Sequence, residues 1–137
     1  MNKKFESNYT VYYEDTDASG FAYHTSYLKF SERARSEILK EFFPDIINFL
    51  KTNSFFFVVK DMNVNFIKPT RLYEKLKVTT SYINNSYTSL RLNHLITFEN
   101  KRVCEINVKL VWIDGSSERP VKIPKNIISR LKPSEIV

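Results

Sequence analysis

Apolar residues recur every three or four positions in one segment of the chain and at every second position in several others. From about Ser26 to Phe42 an apolar stripe faces a charged side, which predicts an amphipathic helix. The stripe consists of Tyr27, Leu28, Phe30, Ala34, Ile38, Leu39 and Phe42. Pro44 disfavours a helical conformation at Phe43, so the helix is expected to end there. A short helical piece over 45–51 and a closing helix over 123–131 are also expected.

Alternation with period two predicts the strands. One strand is expected over 58–67, before Pro69, and another over 8–15, which is rich in Tyr and Val. Three more end at the turn-forming stretches "NNS", "ENK" and "DGSS". Their apolar faces carry Leu76, Val78, Thr80 and Tyr82, then Leu90, Leu92, His94, Ile96 and Phe98, and last Cys104, Ile106, Val108, Leu110 and Trp112. One long helix and about five strands predict a single α+β domain over 1–137, with an antiparallel sheet curved around the helix.

Composition adds the expected compartment and the class of partner. Cys104 is the only cysteine, and the N-terminus "MNKKFESNYT" has no apolar signal core. No apolar run reaches the length of a membrane span, so we expect a cytoplasmic protein without one. The net charge of +6 favours anionic partners. Because the lysines and arginines are scattered along the chain, a nucleic-acid partner is not expected.

The stretch "YYEDTDASGFAYHTSYLKFSERARSEIL" carries the candidate chemistry. Acids at Glu14, Asp15 and Asp17 precede a turn at Gly20, and His24 follows where the turn meets the long helix. The first turn of a helix has unpaired backbone N–H groups and a positive dipole end. This arrangement therefore brings an acid and a row of donors, near His24 to Tyr27, towards one point.

The residues "VYYEDTDASGFAYHTSYLKFSERARSEIL" also resemble the signature of the 4-hydroxybenzoyl-CoA thioesterase family of hotdog-fold proteins. More narrowly, they resemble the bacterial acyl-CoA thioesterases encoded with the Tol-Pal system. The resemblance continues in "FFFVVKDMNVNFIKPTRLYEKLKV" and "VKIPKNIISRL", and only Ser19 departs from the usual small residue before the glycine. It implies a hotdog fold, hydrolysis of acyl thioesters without metal or cofactor, and dimers that pair into tetramers.

The resemblance also assigns the site residues. Asp17 matches the catalytic acid, and a carboxylate there would either activate water as a general base or attack the thioester carbonyl itself. His24 would orient water or contact the carbonyl, while the helix donors hold the oxyanion. Tyr13 is grouped with these two as a catalytic candidate because it shares strand parity with Asp15, and it is expected to line the pocket. Substrate-binding positions are expected at Tyr23, Val58 and Val59, the last two within "FFFVV" of the neighbouring subunit.

Other polar residues favour structural roles. Glu14 and Asp15 are expected to be solvated or bonded to the turn or to Arg33 and Arg35. His94 lies on an apolar strand face and is expected to be buried and hydrogen-bonded. Cys104 has no adjacent base, so it is not expected to be a nucleophile.

The sequence leaves alternatives open both for the carrier of the acyl group and for the activity of the protein. Coenzyme A and acyl carrier protein both carry phosphate. The stretch 83–89 lacks the paired arginines associated with nucleotide contacts in aryl-CoA relatives, which leaves acyl carrier protein open. A non-catalytic acyl-carrier or acyl-CoA binding module is the main alternative to a thioesterase. A basic nucleic-acid-binding domain is the third reading, and "SERARS" with the lysine-rich turns is its support.

Overall fold

A computed structural model describes residues 4–133, and the expected domain over 1–137 extends beyond that range at both ends. Helix α1 spans His24–Phe42, α2 spans Ile47–Lys51 and α3 spans Lys125–Leu131. Single 3₁₀ turns lie at Tyr13–Asp15 and Pro44–Ile46. The strands are β1 (Lys4–Thr10), β2 (Phe55–Phe66), β3 (Lys75–Asn85), β4 (Ser89–Phe98), β5 (Lys101–Asp114) and β6 (Arg119–Pro120).

The strands form one antiparallel sheet around α1. Its order is β1-β3-β4-β5-β2, with β6 paired to β5. The three consecutive strands β3, β4 and β5 are neighbours because short turns join them, as the sequence predicts. This is the α+β architecture of the hotdog fold, with β1 and β2 at the two edges of the sheet.

Helix α1 supplies one side of the core through the predicted stripe. Tyr27, Phe30, Ala34 and Ile38 are buried against the sheet. Phe42 differs from the prediction because it is 40% exposed at the last turn of the helix, where its ring meets that of Phe5 on β1 edge-on. The N–H of Phe43 donates the last helical bond to Leu39 O at 3.0 Å, and Pro44 then begins the 3₁₀ turn.

The predicted inner faces of β3, β4 and β5 supply the other side of the core. Their buried residues are Leu76, Val78 and Thr80 on β3, Leu90, Leu92, His94 and Ile96 on β4, and Cys104, Ile106, Val108, Leu110 and Trp112 on β5. Period-two burial confirms the alternation that the sequence shows in these three strands.

Two strand predictions need correction. The strand expected over 8–15 ends at Thr10, because the carboxylate of Asp15 accepts a hydrogen bond from Tyr12 N–H at 2.9 Å and folds the chain into a 3₁₀ turn. The strand expected over 58–67 begins earlier, at Phe55, and its register with β5 shifts between Val59 and Asp61. Phe66, the last residue of this strand, is 50% exposed.

Within residues 4–133, the long helix α1 is too polar to cross a membrane, and no other helix there is long enough.

Candidate active site

A tight turn positions Asp17 in front of α1. Thr16 and Ala22 form an isolated antiparallel bridge, and the N–H of Asp17 donates to Phe21 O at 3.1 Å. The N–H of Gly20 donates back to Asp17 O at 3.0 Å. Gly20 has φ +85°, a left-handed conformation that glycine adopts without steric cost, so the turn depends on it.

The Asp17 carboxylate is exposed and its Oδ1 atom is fixed by one neighbour. Ser19 donates to Oδ1 twice, from its backbone N–H at 2.8 Å and from its hydroxyl. These two bonds, led by the hydroxyl, lower the pKa of Asp17, and the positive charge of His24 adds a smaller effect of the same sign. The carboxylate is therefore held in its ionised form.

Buried Asp15 joins this turn to the start of the helix. Its backbone carbonyl accepts hydrogen bonds from Tyr23 N–H at 2.7 Å and from the Ser26 hydroxyl at 2.9 Å. Its carboxylate bonds to the turn through the Tyr12 N–H, which is one of the alternatives expected for Asp15. This anchor means that Asp17 and the first turn of α1 cannot move far apart without breaking buried hydrogen bonds.

The first turn of α1 offers two free donors. No side chain caps the helix, and the N–H groups of His24 and Thr25 find no acceptor among residues 4–133. The N–H of Ser26 already donates to Tyr23 O at 2.9 Å. The row of donors expected from His24 to Tyr27 is therefore shorter than predicted.

The candidate residues lie in two separate depressions of one chain. The Asp17 depression, about 460 Å³, is lined by Tyr13, Thr16, Asp17, Ala18, Gly20 and Leu72. Tyr13 lies there with 81% of its surface exposed, on the 3₁₀ turn rather than on the expected strand. The His24 cleft, about 300 Å³, is lined by Ala22, His24, Tyr27, Phe66, Ile67, Lys68 and Pro69.

Aromatic rings surround the exposed imidazole of His24. The Tyr23 ring centroid is 4.1 Å from that of His24, and the Phe66 ring meets it edge-on at 6.2 Å. Beneath them, the buried Tyr27 hydroxyl hydrogen-bonds to the Thr70 hydroxyl at 2.8 Å. Val58 and Val59 line neither depression and lie exposed on β2, so a single chain does not bring them to the other candidate residues.

A basic depression lies elsewhere on the surface. It measures about 530 Å³ and is lined by Asn85, Ser86, Tyr87, Lys122, Ile123, Lys125, Ile128, Ser129 and Lys132. The Lys122 ammonium lies 5.4 Å from the centroid of the Tyr87 ring. Among residues 4–133, no acidic side chain lines this surface, so it suits a phosphate-bearing group. We call it the lysine depression.

The buried titratable residues have structural roles. Arg35 donates to His94 Nε2 at 3.1 Å, which leaves His94 Nδ1–H to donate to the Thr80 hydroxyl at 2.8 Å. Burial and the Arg35 charge lower the pKa of His94 to about 3. Burial raises the pKa of Cys104 to about 12, which leaves the thiol protonated and unreactive. The expectation that His94 is buried and hydrogen-bonded is confirmed.

Sequence reasoning missed two contacts at the candidate site, that of Ser19 with Asp17 and that of Phe66 with His24. Ser19 follows Asp17 by two residues, the spacing at which an Asp side chain caps its own turn, so a signal was present. Phe66 reaches His24 only through the fold, and nothing local in the sequence indicates it. Among residues 4–133 there is no group of His, Cys, Asp or Glu side chains that could hold a metal ion.

Comparisons with known proteins agree on one family. Residues 2–131 match the family model described as the acyl-ACP thioesterase N-terminal domain. The chain is 37% identical over 123 residues to the acyl-CoA thioester hydrolase YbgC of Escherichia coli O6:H1, covering 89% of this chain and 91% of that protein.

Solved structures share the fold. A probable thioesterase from Bartonella henselae superposes with a TM-score of 0.78 at 28% identity, covering 89% of this chain and all of the other. A 1,4-dihydroxy-2-naphthoyl-CoA thioesterase from Synechocystis superposes with a TM-score of 0.86 at 17% identity, covering 94% and 96%. Because the identity to the Synechocystis protein is only 17%, this similarity shows the fold alone.

Proposed function

We propose that this chain, which belongs to the hotdog acyl thioesterase family, hydrolyses acyl-CoA thioesters with Asp17 as the reacting carboxylate. The observation that carries the proposal is the anchored pair of an ionised Asp17 and two free N–H donors at the start of α1. One group supplies the base or nucleophile, and the other stabilises negative charge on the carbonyl oxygen.

Two routes fit these groups. As a base, Asp17 takes a proton from water, whose oxygen bonds to the carbonyl carbon; the C–S bond then breaks and the thiolate takes up the proton. As a nucleophile, the carboxylate bonds to the carbonyl carbon, the thiolate leaves, and water hydrolyses the resulting anhydride to two carboxylic acids. In both routes the N–H groups of His24 and Thr25 are the oxyanion donors that we propose.

The aromatic residues would shape the substrate path. Tyr13 shares the depression of Asp17, where its ring can shield the reacting water. Tyr23 packs on the His24 ring and limits its rotation. We propose that His24 orients the water or contacts the carbonyl, and that Tyr23 contacts the acyl group.

A second copy of the chain would complete the site. β2 ends the sheet, and its outer edge has no partner strand among residues 4–133. An exposed twelve-residue edge strand is a template for pairing with another chain. We propose that two copies pair along β2, so that Val58 and Val59 of one protomer contact the acyl group bound beside Asp17 of its partner. Such dimers could pair further into tetramers.

We expect sedimentation equilibrium to find at least a dimer of the 16.2 kDa chain at micromolar concentration. Val59→Lys should shift the protein towards monomer, because it introduces a charge at the centre of the proposed interface. Ile83→Lys is the matched control, since Ile83 on β3 is 45% exposed and Val59 is 47% exposed. A wild-type monomer, or equal loss of assembly in both variants, would contradict pairing along β2.

The carrier of the acyl group is proposed to be coenzyme A or acyl carrier protein. The lysine depression supplies three cations and one exposed aromatic ring, which suit the phosphates of either carrier. The net charge of +6 favours an acidic carrier protein as well. The finer assignment to the Tol-Pal-associated subgroup and a cytoplasmic location stay predictions.

His24→Ala is expected to lower kcat by about three- to tenfold with little change in KM. Loss of one hydrogen bond to water or to the carbonyl, worth about 1 kcal/mol, raises the activation free energy enough to lower the rate by this factor. His24→Gln should recover part of the rate, because its amide can replace that bond. Steady-state kinetics from pH 6 to 9 check the effect, and unchanged kinetics in His24→Ala would give the residue a structural role only.

Release of free thiol from a panel of acyl thioesters tests the proposed function. The panel contains acyl-CoAs of increasing chain length, an aryl-CoA, and the same acyl groups on acyl carrier protein, each at low and physiological salt. Turnover of any member supports a thioesterase. Tight binding of the panel without thiol release would favour the acyl-carrier binding module, and duplex DNA binding as tight as carrier binding would favour a nucleic-acid partner.

A further inference from the structure

We propose that Ser19 is a positioning residue that assigns different roles to the two oxygens of the Asp17 carboxylate. Its hydroxyl and N–H both bond to Oδ1, which leaves Oδ2 as the oxygen that meets water or the thioester carbon. The proposal rests on the proposed role of Asp17 and deepens it.

The geometry of the turn supports this assignment. The Ser19 hydroxyl accepts a hydrogen bond from Phe21 N–H at 3.3 Å while it donates to Asp17 Oδ1, so the backbone orients the hydroxyl. The N–H of Ser19 alone would hold Oδ1 by one bond about which the carboxylate can swing. Two donors from one residue fix its rotation, and among residues 4–133 no hydrogen bond reaches Oδ2.

Few other charged groups face this carboxylate. His24 lies at the start of α1, and its charge acts in the same direction as the Ser19 bonds. Tyr13 lines the depression from the 3₁₀ turn, whereas Leu72 from the facing loop is apolar. The Arg71 guanidinium stacks on the Phe21 ring, 4.5 Å from its centroid. Ser19 is therefore the neighbour whose removal should change Asp17 most, as it contributes the largest effects that lower the Asp17 pKa.

The chain contains a matched control for this contact. In the turn after β5, the Ser117 hydroxyl donates to the Asp114 carboxylate at 2.9 Å, and Ser116 N–H donates to it at 3.2 Å. These bonds likewise lower the pKa of Asp114. Ser117→Ala therefore removes the same kind of contact from an aspartate outside the candidate site.

The experiment combines carboxyl NMR titration with the pH profile of kcat/KM for the wild type, Ser19→Ala, Ser19→Thr and Ser117→Ala. In Ser19→Ala we expect both the Asp17 titration and the acid limb of kcat/KM to move to higher pH, with KM little changed. Ser19→Thr retains a hydroxyl and should restore both. Ser117→Ala should move the Asp114 titration and leave the acid limb where it is.

An unchanged Asp17 titration in Ser19→Ala would overturn the proposal. So would a shifted titration with an unshifted acid limb, because Ser19 would then tune a carboxylate that does not control the rate. The NMR readout is independent of turnover, whereas the proposed function is judged by thiol release from the acyl thioester panel and by the activity of Asp17→Asn. Failure of one can therefore be distinguished from failure of the other.

Discussion

Replacing Asp17 with asparagine is expected to lower kcat/KM by about 100-fold or more, the scale for loss of a positioned base. Asparagine has nearly the same shape, and its side-chain oxygen can still accept the two hydrogen bonds from Ser19. It cannot take up a proton from water, and its amide is a poor nucleophile. The chemistry should therefore be lost while the turn between Thr16 and Ala22 is kept.

Asp114→Asn is the control for that experiment. Asp114 is also an aspartate in a turn, bound by a serine hydroxyl and a backbone N–H, but it lies after β5. Thiol release by Asp114→Asn should equal that of the wild type, and circular dichroism should show the same unfolding for Asp17→Asn. If Asp17→Asn retains activity within about threefold of the wild type, Asp17 is neither base nor nucleophile.

The core of the fold could be predicted because each of its elements has one face in the core. Phe30 on α1, Val78 on β3 and Ile106 on β5 are all fully or nearly buried, and the apolar positions that share their faces follow the period of the element. Burial of one face therefore leaves a pattern that can be read locally. The closing helix is recognisable for the same reason, since Ile127 and Leu131 are buried on one side of α3.

The segment before Asp17 could not be predicted from that pattern. Tyr and Val favour a strand, but the Asp15 side chain competes for the Tyr12 N–H and turns the chain. Asp15 is buried, and its backbone carbonyl is held by Tyr23 just before α1 and by Ser26 within it. A sequence window does not contain that information.

The candidate site also contains some residues that the sequence indicates and others that only the fold brings to it. Asp17 and His24 stand close together in the sequence, and the motif indicates both of them. Phe66, the last residue of β2, completes the His24 cleft, and Leu72, from the loop between β2 and β3, completes the Asp17 depression. Both are distant from the motif in the sequence and reach the site only through the fold. Val58 and Val59 lie outside both depressions, so their predicted role depends on a second chain that one sequence does not describe.

The protein is expected to lose stability with falling pH because of His94. The folded pKa of His94 is about 3, against an ordinary value of 6.5. Between these values the unfolded chain binds a proton that the folded chain does not, so the free energy of unfolding decreases as pH falls. The loss is about 1.4 kcal/mol per pH unit, or about 2 kcal/mol between pH 6.5 and 5, and it ends below the folded pKa.

His94→Gln isolates this contribution. Glutamine does not titrate, and its amide can donate to Thr80 and accept from Arg35, the two bonds that His94 makes. Urea unfolding can be followed by the fluorescence of Trp112, the only tryptophan. In this variant the free energy of unfolding should depend less steeply on pH, by the contribution of one proton. Protein concentration must be held constant, because assembly also contributes to apparent stability.

His24→Gln separates the buried histidine from the exposed one. It leaves the Arg35–His94–Thr80 contacts intact, so its stability should depend on pH as steeply as that of the wild type does. Equal slopes in the wild type and His94→Gln would mean that the folded protein protonates His94 at ordinary pH. Arg35 would then have to move away from Nε2, because a protonated imidazole no longer accepts its hydrogen bond.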